Sequence, residues 1–526
     1  MIPPPPRVDG EVAVPRGMLI WMVPLALVVG VLLVPDVNTR LLPAPAAALI
    51  LAIVAVIMLL RGVPRLLVLV PLAGAFLPSS TAGFLASLFG LGLVLLFVAW
   101  RRALRPLDAL DLAFLATLGW SILSWLANLG VETDLWALPV YVLTFWTPWI
   151  ILMVGRADAW SASEAETARR VWLALLLVQL APAMLKPLVA GPMAAYLVPL
   201  LPLELIGIRL PGREAVVAAA DSTFGTMLSA HHLGVLLVIG LTYLATWWLL
   251  ERRRDLVLLG LLLAFVLLMA DAKHVLLTAA VVVVPLLLIL AWAHVGRAAR
   301  RALVVGLLAL GLGLAVQGRR LVLEVGEAGL WRPIIGLIGF NPKVQLVART
   351  YALMADGGLQ TWVGFGPGAY ASRAASSRAT EVLYKEGGRL PAVIPAHTAP
   401  SYGSAVYDLY TAEIATTTRF RSGMLTNPFS SLIGIVAEHG IVGTVLLVAF
   451  FVLLARRGLN GWRNPQLTPA WRAAGATLFI ALPFLFLLSI FDSYFEQPDV
   501  IIPIALLGLL VLVAPARGEL AEAPRG

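Results

Sequence analysis

The sequence predicts an all-α protein, a polytopic membrane helix bundle of about 12–14 spans with one large extracytoplasmic loop containing short helices. Three observations predict it. Of 526 residues, 60% are hydrophobic and only 13% charged, whereas a soluble domain is about half apolar and a quarter charged. Apolar runs of near-spanning length recur along the chain, and about 20 such residues cross a bilayer as a helix. Every second connection between those runs is basic: Arg61 and Arg65; Arg101, Arg102 and Arg105; Arg156, Arg169 and Arg170; Arg252, Arg253 and Arg254; Arg297, Arg300 and Arg301; Arg456, Arg457 and Arg463. The connections between these (PDVNTR, LPSSTA, NLGVETD, FDSYFEQPD) are mostly acidic or neutral. Loops rich in Lys and Arg stay in the cytoplasm, so the alternation assigns a face to each loop.

Taken in order, residues 1–16 are Pro-rich and read as a disordered cytoplasmic start, and 17–317 as the main helix bundle. Spans are expected near 17–34, 43–60, 64–77, 82–100, 109–128, 136–154, 171–189, 231–250, 256–270, 275–294 and 302–317. The first run has no A-x-A-like cleavage site after it, so it reads as a retained span. The third is short and carries Pro71. Residues 318–428 form the large extracytoplasmic loop, 429–514 the C-terminal spans (429–455, 472–491, 499–514), and 515–526 a disordered cytoplasmic tail. Both termini come out cytoplasmic.

Two outer segments, near 190–230 and 318–428, interrupt the regularity. Each holds an apolar stretch too broken to span, AAYLVPLLPLELIGI and LWRPIIGLIGF. Irregular backbone at membrane depth needs protein or a wet cavity beside it, so both read as re-entrant or interfacial. The larger segment carries eleven basic and seven acidic residues. Long loops translocate whatever their charge, which leaves a cationic outer surface suited to an anionic partner. The net charge of +9 is a topology signal and does not imply nucleic acid. With no cysteine, disulfides, thiol nucleophiles and thiolate metal sites are excluded. No internal repeat is visible, which argues against an inverted-repeat transporter.

Four stretches carry ionisable or glycine-rich chemistry. DSTFGTMLSAHHLGVLL (221–237) puts Asp221, His231 and His232 at the head of a span; adjacent histidines diverge on a helix, so one can face a cavity while the pair does not make a zinc site. ADAKHVLL (270–277) puts Asp271, Lys273 and His274 at the outer end of a helical hairpin, where ionisable groups are either functional or snorkel to the headgroups. RTYALMADGGLQTWVGFGPGAY (349–370) reads as a short amphipathic helix, then a turn in which Gly364, Gly366 and Gly368 allow close backbone packing or anion binding. TNPFSSLIGIVAEHGIVGTVLLVAFF (426–451) places Glu438 and His439 about three turns into a span; a carboxyl there is paired, protonated or beside water. It serves either as a structural lock or in catalysis.

In order and sidedness these stretches resemble the O-antigen ligase and O-antigen polymerase family of bacterial membrane proteins, over roughly residues 220–455. The likeness runs through S-T-F-G-T-M-L-S-A-H-H-L-G, then D-A-K-H, then Arg349 ahead of W-V-G-F-G-P-G-A-Y, then A-E-H-G-I-V-G after a large outer loop. Ligases carry His-Asn nine and eight residues before that glutamate; Phe429 and Ser430 stand here, with Asn427 the nearest asparagine. The departure favours the polymerase branch.

The resemblance implies an inner-membrane glycosyltransferase that polymerises polyprenyl-diphosphate-linked oligosaccharide repeats into O-antigen, capsule or exopolysaccharide. The alternatives are a ligase passing glycan to lipid A–core and, from another class, a lipid or glycan transporter. On this reading Lys273, Arg349 and Arg213 hold the substrate diphosphate, since arginine forks and lysine point charges suit phosphate oxygens. His397, His439, Asp408 and Glu413 are the candidate catalytic groups. Gly364, Gly366, Gly368, Glu438 and Asn427 shape the site, and Tyr402, Tyr407 and Tyr410 are available to stack on sugar rings. No metal or cofactor is expected. The implied partners are the carrier-linked glycan, an acceptor glycan, membrane lipid, and a chain-length regulator and flippase, with no nucleic acid.

Overall fold

The computed structural model describes residues 107–156, 160–180, 183–184, 230–270, 272–292, 342–356, 358–379, 395–409 and 430–515, with Pro71. Apart from Pro71, the spans expected at 17–34, 43–60, 64–77, 82–100 and 302–317 therefore lie outside the described residues, as do both broken apolar stretches.

The described residues form helices and no strand beyond an isolated bridge between Leu129 and Thr133. We number them α1 (Ala109–Ala127), α2 (Ala137–Gly155), α3 (Ala162–Val178), α4 (Ala230–Glu251), α5 (Arg254–Met269), α6 (Lys273–Thr278 through Val284–Ala291), α7 (Pro342–Asp356), α8 (Leu359–Val363), α9 (Arg373–Ala379), α10 (Pro400–Ala405), α11 (Ser431–Arg463), α12 (Pro469–Leu488) and α13 (Pro498–Leu512). Six of them, α1, α2, α4, α6, α11 and α12, are long and apolar enough to cross a membrane, and α13 is shorter and apolar. Rows of exposed leucines such as Leu112, Leu115 and Leu123 on α1 and Leu258, Leu261 and Leu268 on α5 need a lipid environment, because water would not tolerate so much apolar surface.

Local chemistry sets the helix limits. At α1 the Asp108 carboxylate accepts from the N–H groups of Leu110 and Asp111 while Asp111 reciprocates, a two-way cap that satisfies otherwise orphaned donors. Ser161 and Glu164 make the same box at α3. That cap starts α3 at Ala162, nine residues ahead of the expected 171–189 span, because a capped polar turn extends a helix beyond its apolar run. Both π-helical turns, Val142–Trp146 in α2 and Ala279–Val283 in α6, end two residues before a proline, Pro148 and Pro285. Proline has no N–H to continue the i→i−4 ladder, and the register widens just ahead of it.

The helices share two ends. At one, Arg156 on α2 and Arg457 on α11 bond to Asp108, at 2.7 and 2.8 Å. Glu166 ties Arg169 and Arg170 at the same end, where Arg169 also bonds the Tyr243 hydroxyl at 2.8 Å. At the other end the four pieces α7, α8, α9 and α10 fold onto the bundle; we refer to it as the loop end. α11 and α12 meet closely at Gly458 and Gly475, where a Cβ on Gly458 would sit 2.7 Å from the Gly475 carbonyl oxygen. Small residues allow this approach between membrane helices.

Candidate functional site

The loop end is organised by a break in α11. Gly440 has φ 63° and ψ −171°, a backbone region open essentially to glycine. A break inside an apolar bundle strands carbonyls that water cannot reach, and here each finds a donor. The Ala437 carbonyl accepts from Phe365 N–H at 2.8 Å, and Glu438 O accepts from Gly366 N–H at 3.1 Å and Ser124 Oγ at 3.0 Å. His439 O accepts from the Trp120 indole at 2.9 Å. Gly364, with φ 84°, lies so close to the break that any Cβ on it would strike the Glu438 carbonyl.

The Glu438 side chain completes this joint. It is fully buried, and its two oxygens accept from the backbone N–H groups of Gly368 (2.9 Å), Tyr370 (2.9 Å) and Ser372 (3.2 Å). The glycine turn thus does wrap an anion, and that anion is the chain's own Glu438. One residue on, Arg373 N–H donates to the Glu496 carboxylate. Burial, reinforced by the Glu438 charge, pushes the Glu496 carboxyl up to about 8.

Beside this joint lies a polar cluster built from six elements. His231 and His232 come from the start of α4, and His274 from the start of α6. The α12–α13 connection brings Asp492, Tyr494 and Glu496, followed by Asp499 in the first turn of α13. Lys343 comes from α7 and Arg373 from α9. His232 Nδ1 is 2.8 Å from Asp499 Oδ2, and His274 Nε2 is 2.6 Å from the Tyr494 hydroxyl. The His231 and His274 rings lie 4.3 Å apart, and those of His232 and Tyr494 5.9 Å apart. Arg373 donates to Gln497 Oε1 at 2.6 Å and to Glu496 O at 3.2 Å. Burial pushes the Lys343 ammonium down to about 8, with the Asp492 charge opposing the shift. Three imidazoles, a phenol, two basic side chains and three carboxyl groups thus meet where the apolar bundle ends. Among the described residues no group of His, Asp and Glu is arranged to hold a metal.

The residues singled out from the sequence fall in several places. Arg349 and Asp408 come together, but on each other: the guanidinium donates to both carboxylate oxygens at 2.6 and 3.0 Å. Those bonds hold the Asp408 carboxyl below its ordinary range. His397 lies under the α1–α2 connection, its Nε2 3.2 Å from Glu132 O. His439 is buried between Tyr141 and Phe145, with Nε2 2.9 Å from Ser121 Oγ. Tyr402 is buried and Tyr407 exposed. Ser430 caps α11 and donates to Ser489 O at 2.8 Å. Lys273 opens α6 next to His274, but its side chain lies outside the described residues, as do Arg213, Asp221, Asp271, Tyr410, Glu413 and Asn427.

Sequence reasoning passed over Lys343, Arg373, Tyr494, Glu496 and Asp499. Four of the five stand next to motifs it did weigh, since FDSYFEQPD was read for its charge alone and Arg373 follows the glycine turn by five residues. A dense run of ionisable groups at the head of an apolar helix was the available signal. No family model matches the chain, and no curated protein matches it.

Proposed function

We propose that the protein is a membrane glycosyltransferase that polymerises polyprenyl-diphosphate-linked oligosaccharide repeats on the outer face of a bacterial inner membrane. The observation that supports it best is the placing of Lys343 and Arg373, two half-buried cations from the loop segment, against the histidine cluster at the loop end of an apolar bundle. A lipid-linked diphosphate presents its charge at that depth while its isoprenoid chain stays in the bilayer. Cations near a low-dielectric bundle act on such a group more strongly than they would in water. The arginines gathered at the Asp108 end support a cytoplasmic placement of that end by the positive-inside rule, with the loop end facing outward.

In this reading Lys343 and Arg373, together with Lys273, neutralise the diphosphate as the glycosidic bond to it breaks. Arg349 joins them by exchanging Asp408 for phosphate. The Glu438 joint holds the glycine turn and α9, and through them Arg373, in place. Ser430 acts as a helix cap, so the His-Asn chemistry of ligases has no counterpart there, and polymerisation is the better reading.

The test is a gel ladder of surface glycan, with an extract of polyprenyl-linked sugars, from cells lacking the gene. Single repeats on both carrier and acceptor are expected. Long chains stranded on the carrier would make the protein a ligase, and an unchanged profile would point to transport.

A further inference from the structure

The proposed reaction needs a group to take the proton of the acceptor hydroxyl, and we infer that His232, oriented by Asp499, is that group. The inference rests on the glycosyl-transfer reading and adds its base. Within the cluster His232 is bonded to a carboxylate: Nδ1 lies 2.8 Å from Asp499 Oδ2, with both side chains buried. A carboxylate on Nδ1 fixes that nitrogen as the N–H donor and leaves the Nε2 lone pair to accept a proton.

Other charged and titratable groups of both signs surround the pair. They are Asp492 and Tyr494 on the α12–α13 connection, Arg373 on α9, His274 on α6 and the neighbouring His231, with Lys343 on α7 facing His274. Imidazoles this close do not all carry charge together. The Asp499 carboxylate stands ready to hold an imidazolium at His232, while His274 Nε2 is engaged by the Tyr494 hydroxyl. Asp499 Oδ1 is also buried without a hydrogen-bond partner among the described residues. A buried carboxylate oxygen calls for a donor, and a sugar hydroxyl supplies one.

The step balances. The acceptor hydroxyl oxygen forms a bond to the anomeric carbon of the donor glycan. The bond from that carbon to the diphosphate oxygen breaks, and polyprenyl diphosphate leaves with the electron pair. The hydroxyl proton passes to His232 Nε2, giving an imidazolium held by Asp499, and then to water. His232 is the catalytic residue and Asp499 a positioning residue.

The experiment uses the full chain in lipid nanodiscs with a synthetic polyprenyl-diphosphate-linked repeat as both donor and acceptor. H232A is expected to lower kcat by about 10²–10⁴-fold, leave the donor KM within about twofold of wild type, and recover part of its rate on addition of free imidazole. D499N is expected to lower kcat with KM unchanged, and D499E to restore most of it. Wild-type kcat in H232A, or loss without imidazole rescue together with wild-type kcat in D499N, overturns the assignment. If H232A does not fold, the D499N and D499E pair decides, since a purely structural role would not separate kcat from KM. If the wild-type protein itself turns over no donor, the glycosyl-transfer reading fails and the base falls with it. Turnover by wild type with normal H232A removes the base alone.

Discussion

Replacing Glu438 tests the joint that positions the loop end. Its carboxylate accepts three buried backbone N–H groups, from Gly368, Tyr370 and Ser372. A buried donor left without a partner costs about 1–3 kcal/mol. E438A strands all three, and with water satisfying some of them the loss is about 3–6 kcal/mol. E438Q keeps one oxygen for Tyr370 and Ser372 but turns an amide N–H₂ toward the Gly368 N–H, losing a single bond, about 1–3 kcal/mol. The expected order of stability is wild type, E438Q, E438A. In detergent-solubilised protein E438A should lower Tm on the order of 10 °C, and limited proteolysis should open the chain within 364–372. A Tm for E438A within about 2 °C of wild type, with an unchanged cleavage pattern, would refute the reasoning, because three buried donors cannot go unmet without cost.

Other perturbations separate the remaining contacts. G440A places a Cβ against the Trp362 carbonyl at φ 63° and should cost at least about 1–3 kcal/mol from backbone strain alone, measured as a fall in Tm and yield. The Lys343 ammonium titrates near 8, so if it holds the diphosphate, kcat/KM should fall as pH rises through about 8, and K343R should flatten that fall. Stability has the opposite sign for this group: between about 8 and 10.5 the unfolded chain binds the proton and the folded one does not, so its contribution rises with pH. The Arg349–Asp408 pair is partly exposed, so D408A should change stability by less than about 1 kcal/mol and leave Arg349 free for phosphate. R349A should abolish glycan extension at normal protein level, and wild-type ladders from it would remove Arg349 from the site.

The membrane helices were legible because an apolar run has one physical outcome in lipid. The runs near 109–128, 136–154, 231–250 and 472–491 became Ala109–Ala127, Ala137–Gly155, Ala230–Glu251 and Pro469–Leu488, shifted by no more than a few residues. Where polar capping governs, as at Ser161, hydropathy placed the start of α3 too late. The break at Gly440 was not legible. A glycine in A-E-H-G-I-V-G reads as ordinary helix, and only the N–H groups of the 364–372 turn, some seventy residues earlier, make a broken helix stable there. Glu438 was read as either a lock or a catalyst, and its bonds are those of a lock. The histidine cluster was half visible: His231, His232 and His274 stood out as ionisable groups at helix heads, but the partners that give them roles, Asp499 and Tyr494, lie more than two hundred residues away. Pairings over that distance follow from helix packing, which one sequence does not display.

The most direct measurement is the mass spectrum of products formed by the purified protein in nanodiscs from a single polyprenyl-diphosphate-linked repeat. Carrier-linked glycan of two or more repeats is expected, with one polyprenyl diphosphate released for each bond formed. Donor recovered unchanged, under conditions where the protein is folded and binds it, would contradict the account.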